Sequence, residues 1–177
     1  MSHKALRKFL TRVYKQFPYF FENVKVLDIG SLDINGNNRR YFKNSFYVGI
    51  DLGIGKNVDV VSLGHQFSAR ILFDVVISTE CFEHDFYYRE TILNAVNLLR
   101  AGGMFLFTCA STGRKVHGVS TNGKVAKDSP FSFWKDYYKN LTEEDIREVL
   151  DCSIFSSFYF EYYEEHSDLY FYGIKNV

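Results

Sequence analysis

The chain is predicted to be an α/β protein, with a mainly parallel sheet covered by helices on both faces. Three observations point there. Apolar, strand-length runs alternate with segments of helical periodicity, the pattern of parallel strands joined by crossover helices. The run Val24-Lys25-Val26-Leu27-Asp28-Ile29-Gly30 ends in Asp-x-Gly, where a buried strand stops and glycine leaves no side chain to obstruct a ligand. The next run, Tyr47-Val48-Gly49-Ile50-Asp51, ends in an acid 21 positions after Gly30. A carboxylate at that strand tip can accept two hydrogen bonds from a ribose diol.

Each element follows from its residues. Ala5 to Phe17 carries Leu6, Phe9, Leu10, Val13 and Phe17 at helical spacing with Lys and Arg between them, an amphipathic helix that Pro18 stops. Val24 to Ile29 is the first strand, Ile34 to Asn44 a loop running into a short helix, and Phe46 to Ile50 the second strand. Val58 to Val61 is a short third strand, and Leu63 to Arg70 has room for one or two helical turns. Phe73 to Ser78 is mostly apolar, as a central parallel strand buried on both faces requires. Asp85 to Leu99 is helical through Ile92, Leu93, Val96 and Leu99, and Ala101-Gly102-Gly103 marks its end. Met104 to Ala110 is another buried strand. The polar stretch from Ser111 to Leu141 is too long for an ordinary connection and is expected to form a loop or lid over the substrate side. Thr142-Glu143-Glu144-Asp145 reads as an N-cap with acids in the first turn of a helix reaching about Leu150. Ser153 to Tyr162 and Leu169 to Ile174 are two closing aromatic-rich strands.

The 177 residues suit one domain, 1–177, whose first twenty residues hold the N-terminal helix. Lys plus Arg and Asp plus Glu both number 21, which argues against nucleic acid or an anionic membrane as partner. A homodimer is left open. Cys81, Cys109 and Cys152 show no CxxC spacing and are expected to be reduced thiols. No apolar run is long enough to span a bilayer, and the N-terminus leads into a charged amphipathic segment, so a cytoplasmic location is expected.

Two cofactor classes use a strand, a glycine turn and an acid in this way. The dinucleotide fingerprint needs a second glycine two positions after the first, and Leu32 stands there. The chain also lacks a second mononucleotide-binding half. It resembles instead the class I S-adenosylmethionine-dependent methyltransferases, from Val24 to Ile174. Val26-Leu27-Asp28-Ile29-Gly30 looks like that family's first motif, Asp51 like its ribose-binding acid, and Phe73-Asp74-Val75-Val76-Ile77-Ser78 like its fourth-strand motif. Leu98-Leu99-Arg100-Ala101-Gly102-Gly103-Met104-Phe105 looks like the segment entering its fifth strand, with Ala101 in place of the usual proline. The resemblance implies a Rossmann-like three-layer sandwich, a seven-stranded sheet of order 3-2-1-4-5-7-6 with the last strand antiparallel, and S-adenosyl-L-methionine as cofactor.

On this reading the cofactor is held by Asp28, Gly30, Ser31, Asp51, Leu52, Ser62, Leu63, Ser78, Thr79 and Glu80. Asp28 has a structural reading beside this one, as organiser of the turn. Methyl transfer from a sulfonium needs alignment, exclusion of water and, for a hydroxyl or protonated amine, a base. His84, in Glu80-Cys81-Phe82-Glu83-His84-Asp85, and His117, in the long loop, are the candidate catalytic bases, against the plainer readings of a helix-start residue and a solvated loop residue. Arg114 is a candidate for an anionic acceptor group. Trp134, with Phe131, Phe133, Tyr137 and Tyr138, either closes the acceptor pocket or packs the loop down. No metal is expected, because consecutive residues of a turn point in different directions. The expected function is methylation of a small molecule or a sugar-like glycan hydroxyl, O-methylation favoured. A catalytically silent cofactor-binding partner is the alternative, and the Leu32 position and the chain ending disfavour a nicotinamide-dependent oxidoreductase.

Overall fold

The computed structural model describes residues 4–119 and 136–177. Helix α1 (Lys4–Gln16) buries Ala5, Leu6, Phe9, Leu10 and Val13, one stripe at helical spacing, and turns its lysines and arginines outward. A 3-10 turn at Pro18–Phe20 ends it, since proline lacks the N–H that would continue the helix. Seven strands follow: β1 (Lys25–Ile29), β2 (Phe46–Asp51), β3 (Val60–Val61), β4 (Phe73–Thr79), β5 (Leu99–Ala110), β6 (Phe155–Tyr163) and β7 (Asp168–Lys175). They form one sheet of order β3-β2-β1-β4-β5-β7-β6, parallel from β3 to β5, with β7 antiparallel to both neighbours. This is the predicted strand order.

Side-chain alternation along the strands sends residues to opposite faces. On one face, Val26, Val75, Ile77, Met104, Leu106, Tyr170 and Tyr172 pack against α1, Phe20 and Phe21. On the other, Leu27, Ile29, Val76, Phe105, Phe107 and Phe171 pack against helix α2 (Tyr88–Leu98) and against Ile146 and Leu150, in and just after helix α3 (Glu143–Arg147). The central strands are therefore apolar on both sides, as their sequences anticipate. No helix among the described residues is long and apolar enough to cross a membrane.

The structure moves several boundaries. Strand β5 starts at Leu99, which pairs with Phe73, so α2 runs directly into the sheet and the glycine pair lies inside the strand. Gly102 has φ +69°, and a Cβ on Gly103 would stand 2.9 Å from the Asp74 carbonyl oxygen. The pair serves an irregularity of the β4–β5 ladder and does not cap the helix. Leu63 to Arg70 forms a single turn, in which the N–H groups of Gln66 and Phe67 both donate to the Leu63 carbonyl. Asn94 from α2 donates to the Gly64 and Phe67 carbonyls and fastens that turn. Helix α3 is shorter than expected, but its Thr142 and Asp145 form the reciprocal capping box that starts it.

Candidate functional site

Strands β1 and β4 are parallel neighbours whose chains continue to opposite sides, so a crevice opens at their carboxyl ends. Gly30 turns the chain there with φ +76°, and the closeness of Cys81 leaves no room for a side chain: an added Cβ would meet Cys81 Sγ at 2.5 Å. The N–H groups of Gly30 and Ser31 both donate to the Ile50 carbonyl (3.0 Å each), tying the turn to β2. Asp51, half-buried at the tip of β2, accepts from Leu32 N–H (2.9 Å) through one oxygen and from Leu52 N–H (2.7 Å) through the other. Gly53 N–H is a third backbone donor to this carboxylate, which thereby holds both loops and is fixed in orientation at the crevice edge. Burial pushes its pKa up, against the opposing effect of the backbone donors.

Asp28 is sealed beneath the turn, 1% exposed. Tyr47 O–H donates to one of its oxygens at 2.5 Å and Asn38 Nδ2 to the other at 3.1 Å; Asn38 also donates to Thr79 Oγ1 at 3.1 Å. Burial raises the Asp28 pKa to about 7, with the two donors working against it. Sequence reasoning missed Asn38 and Tyr47, which lie in a loop and on the far side of a strand and carry no motif of their own. Three expected cofactor residues have their side chains engaged within the protein. Ser31 Oγ donates to the Asn57 carbonyl (3.1 Å), Ser62 Oγ to the Leu63 carbonyl (3.1 Å), and Ser78 Oγ to the Ile29 carbonyl (2.9 Å), which latches β4 to β1. Leu63 and Leu52 contribute backbone to the same rim.

A second cluster forms where β4 and β5 end side by side. Glu80, with φ +52°, donates its N–H to the Thr108 carbonyl (2.8 Å) and accepts from Thr108 Oγ1 (2.9 Å), so its carboxylate points toward β5 and away from Gly30. The next turn, Phe82–His84, buries Glu83 completely and His84 almost completely. Asp85 closes the turn that leads into α2: it accepts from Tyr87 N–H (2.8 Å) and Thr91 Oγ1 (2.6 Å), while the His84 ring faces across the corner. There its ring meets His117 at 5.2 Å between centroids and Tyr138 at 5.2 Å, and His117 meets Tyr138 at 5.1 Å. The segment carrying Tyr138 is strapped down by Lys139 N–H on the Glu83 carbonyl (2.8 Å) and Leu141 N–H on the Ala110 carbonyl (2.9 Å). The structure thus brings together the two histidines that sequence spacing alone could not place.

Charge in this corner is unusual. Burial drives the His84 pKa down to about 3, helped by the neighbouring His117, and burial lowers that of His117 as well. Both are neutral imidazoles at neutral pH. Glu83 goes the other way, to about 8, through burial and the adjacent Glu80. Arg114 does not reach outward as an anion receptor. It donates to the His166 carbonyl (2.7 Å) and pairs with buried Asp168 (2.9 Å), with Glu80 at 3.9 Å. A carboxylate as deeply buried as Asp168 requires such a partner. Trp134, Phe131 and Phe133 lie outside the described residues.

No protein-family model matches the sequence, and no curated protein matches it either. Solved structures do match in shape. The 1,6-didemethyltoxoflavin-N1-methyltransferase of Burkholderia thailandensis, with 1,6-didemethyltoxoflavin and S-adenosylhomocysteine bound, aligns with a TM-score of 0.66 at 17% identity, over 98% of this chain and 79% of that one. The N-methyltransferase NodS of Bradyrhizobium japonicum WM9, in complex with S-adenosylhomocysteine, aligns at 0.62 and 15% identity, over 98% and 89%. The chain has the fold of the S-adenosylmethionine-dependent methyltransferases. A third neighbour with that fold, Haemonchus contortus phosphoethanolamine N-methyltransferase 2 with phosphomonomethylethanolamine and S-adenosylhomocysteine, aligns at 0.66 and 15% identity over 96% of this chain. The alignment takes in 53% of that enzyme, so this chain spans about half its length.

Proposed function

We propose that the protein is an S-adenosylmethionine-dependent methyltransferase acting on a small molecule or a sugar-like hydroxyl. The observation that carries this reading is the crevice at the ends of β1 and β4, with Gly30 at its turn and the Asp51 carboxylate held at its edge by backbone donors. When bound, the cofactor supplies an electrophilic methyl carbon on a sulfonium that departs as a neutral thioether. Asp51 accepts the two ribose hydroxyls. Asp28 and Asn38, closed off beneath the turn, brace the floor of the crevice on which the cationic amino-acid end rests, and the backbone at Ser78 and Thr79 forms the opposite wall. The corner of His84, His117 and Tyr138 lies on the acceptor side, presents uncharged lone pairs and receives the proton that the acceptor loses.

A hydroxyl acceptor is favoured because neutral imidazoles orient an O–H. The second reading is a nitrogen acceptor, since the three structural neighbours are named N-methyltransferases and two of them hold a small molecule beside S-adenosylhomocysteine. The three free cysteines suit a reducing compartment, and we place the protein in the cytoplasm.

Thermal-shift measurements with S-adenosylhomocysteine and NAD test the cofactor. We expect stabilisation by the first, weakened about tenfold or more in affinity by Asp51→Ala. Stabilisation by NAD alone overturns the reading. A labelled-methyl assay against hydroxylated and amine metabolites and glycans tests turnover. His84→Ala and His117→Ala should lose methyl transfer and keep cofactor binding; unchanged rates in both variants would remove these residues from the chemistry. Binding without turnover on any acceptor would favour the silent partner.

A further inference from the structure

Glu83, His84 and His117 each offer one ligand atom, and these atoms lie within 4.8 Å of one another. Spacing along the sequence argues against a metal here, because Glu83 and His84 are consecutive on a turn. The fold answers that objection by bringing the third donor from a different loop. Two further observations point to an ion. Glu83 is fully buried, and neither carboxylate oxygen has a hydrogen-bond partner among the described residues; the nearby N–H groups of Glu83 itself and Ala110 favour its charged form without making bonds of standard geometry. An orphaned buried carboxylate costs on the order of several kcal/mol unless a proton or a cation satisfies it. In addition, His117 Nδ1 stands 3.1 Å from the Lys115 carbonyl oxygen. A carbonyl only accepts, so that bond puts the proton on Nδ1 and leaves the Nε2 lone pair available. Metal-bound histidines are oriented in this way, by donating the other ring nitrogen to a carbonyl.

We propose that Glu83, His84 and His117 bind one divalent first-row transition ion, such as Zn2+, Mn2+ or Fe2+. Two imidazoles and one carboxylate form a mixed N,O set that suits these ions better than Mg2+ or Ca2+, which prefer oxygen throughout. Metal–ligand distances near about 2.1 Å put ligand atoms roughly 3–4 Å apart, so a small contraction of the cluster closes the site. Three protein donors leave at least one position open. Given the methyltransferase reading, on which this part rests, an acceptor oxygen fills that position. The metal would lower the pKa of the coordinated hydroxyl; the two imidazoles then serve as ligands in place of the base, the proton leaves to water, and the bound oxygen attacks the methyl carbon as the carbon–sulfur bond breaks.

Co2+ serves as the probe, because coordination by imidazole gives visible d–d bands. The full chain, stripped with a chelator, should bind one equivalent of Co2+. Zn2+ should displace it. His117→Ala changes a half-buried loop residue and should weaken Co2+ binding by about 100-fold or more; Glu83→Gln, nearly isosteric, should do the same. His166→Ala, outside the cluster, should bind as the unaltered protein does, and circular dichroism shows that each variant is folded. Equal Co2+ affinity in the unaltered protein, His117→Ala and Glu83→Gln would overturn the proposal, as would no binding at millimolar Co2+. S-adenosylhomocysteine binding is measured separately in the same stripped samples, so loss of the cofactor reading and loss of the metal reading are distinguishable.

Discussion

Asp28 shows how a residue can be legible in a motif and still have its chemistry set by neighbours far away in sequence. Its place before Ile29 and Gly30 marks the strand end, but its titration depends on Tyr47 and Asn38, which come from the next strand and the intervening loop. With a pKa of about 7 in the folded protein and an ordinary value of 3.8 when unfolded, the native state holds the extra proton between those values. Stability from this group therefore falls as pH rises from about 4 to about 7. Urea midpoints measured across that range should show the decline in the unaltered protein and a flatter profile in Asp28→Asn; parallel profiles would contradict the assignment. Arg114 carries the opposite lesson. Its position in a polar loop suggested a ligand for an anionic acceptor, and the structure places it against Asp168, a residue 54 positions away that no local pattern associates with it.

At the scale of elements, the strongest local signals correspond to the strongest local constraints. Gly30 stands at φ +76° with Cys81 Sγ where a Cβ would go, so Gly30→Ala should cost at least about 1–2 kcal/mol and lower Tm by several degrees, and it should weaken S-adenosylhomocysteine binding because the loop carrying Leu32 N–H moves. Thr142→Ala removes the capping box of α3, a loss of about 1 kcal/mol, with cofactor affinity unchanged. The two variants thus separate stability from binding by calorimetry. Both residues were legible because their requirement is local: a backbone angle in one case, an orphan N–H in the other. The early start of β5 was not legible, since Ala101-Gly102-Gly103 follows a helix and looks like its terminator. Only pairing of Leu99 with Phe73 shows that the glycines accommodate a ladder irregularity.

For the whole molecule, the sheet order sets a gradient of protection. Strands β1, β4 and β5 are central and covered on both faces, whereas β3 has two residues at one edge and β6 exposes Phe158, Tyr159 and Tyr162 at the other. Amide hydrogen exchange should be slowest in the central three and fastest in β3 and β6; uniform exchange would mean the sheet does not open from its edges. The sequence by itself determined which segments are strands, which face of α1 is buried, where Gly30 turns the chain and that Asp51 stands at a strand tip. Periodicity, helix stops and glycine requirements act within a few residues, so they are written where they apply. Only the tertiary structure decided that His84, Glu83 and His117 share a corner, that Arg114 turns inward and that Asp28 titrates near neutrality. Each of these depends on which strands and loops the sheet makes neighbours, and adjacency of segments tens of residues apart is a property of the packed whole that no local window contains.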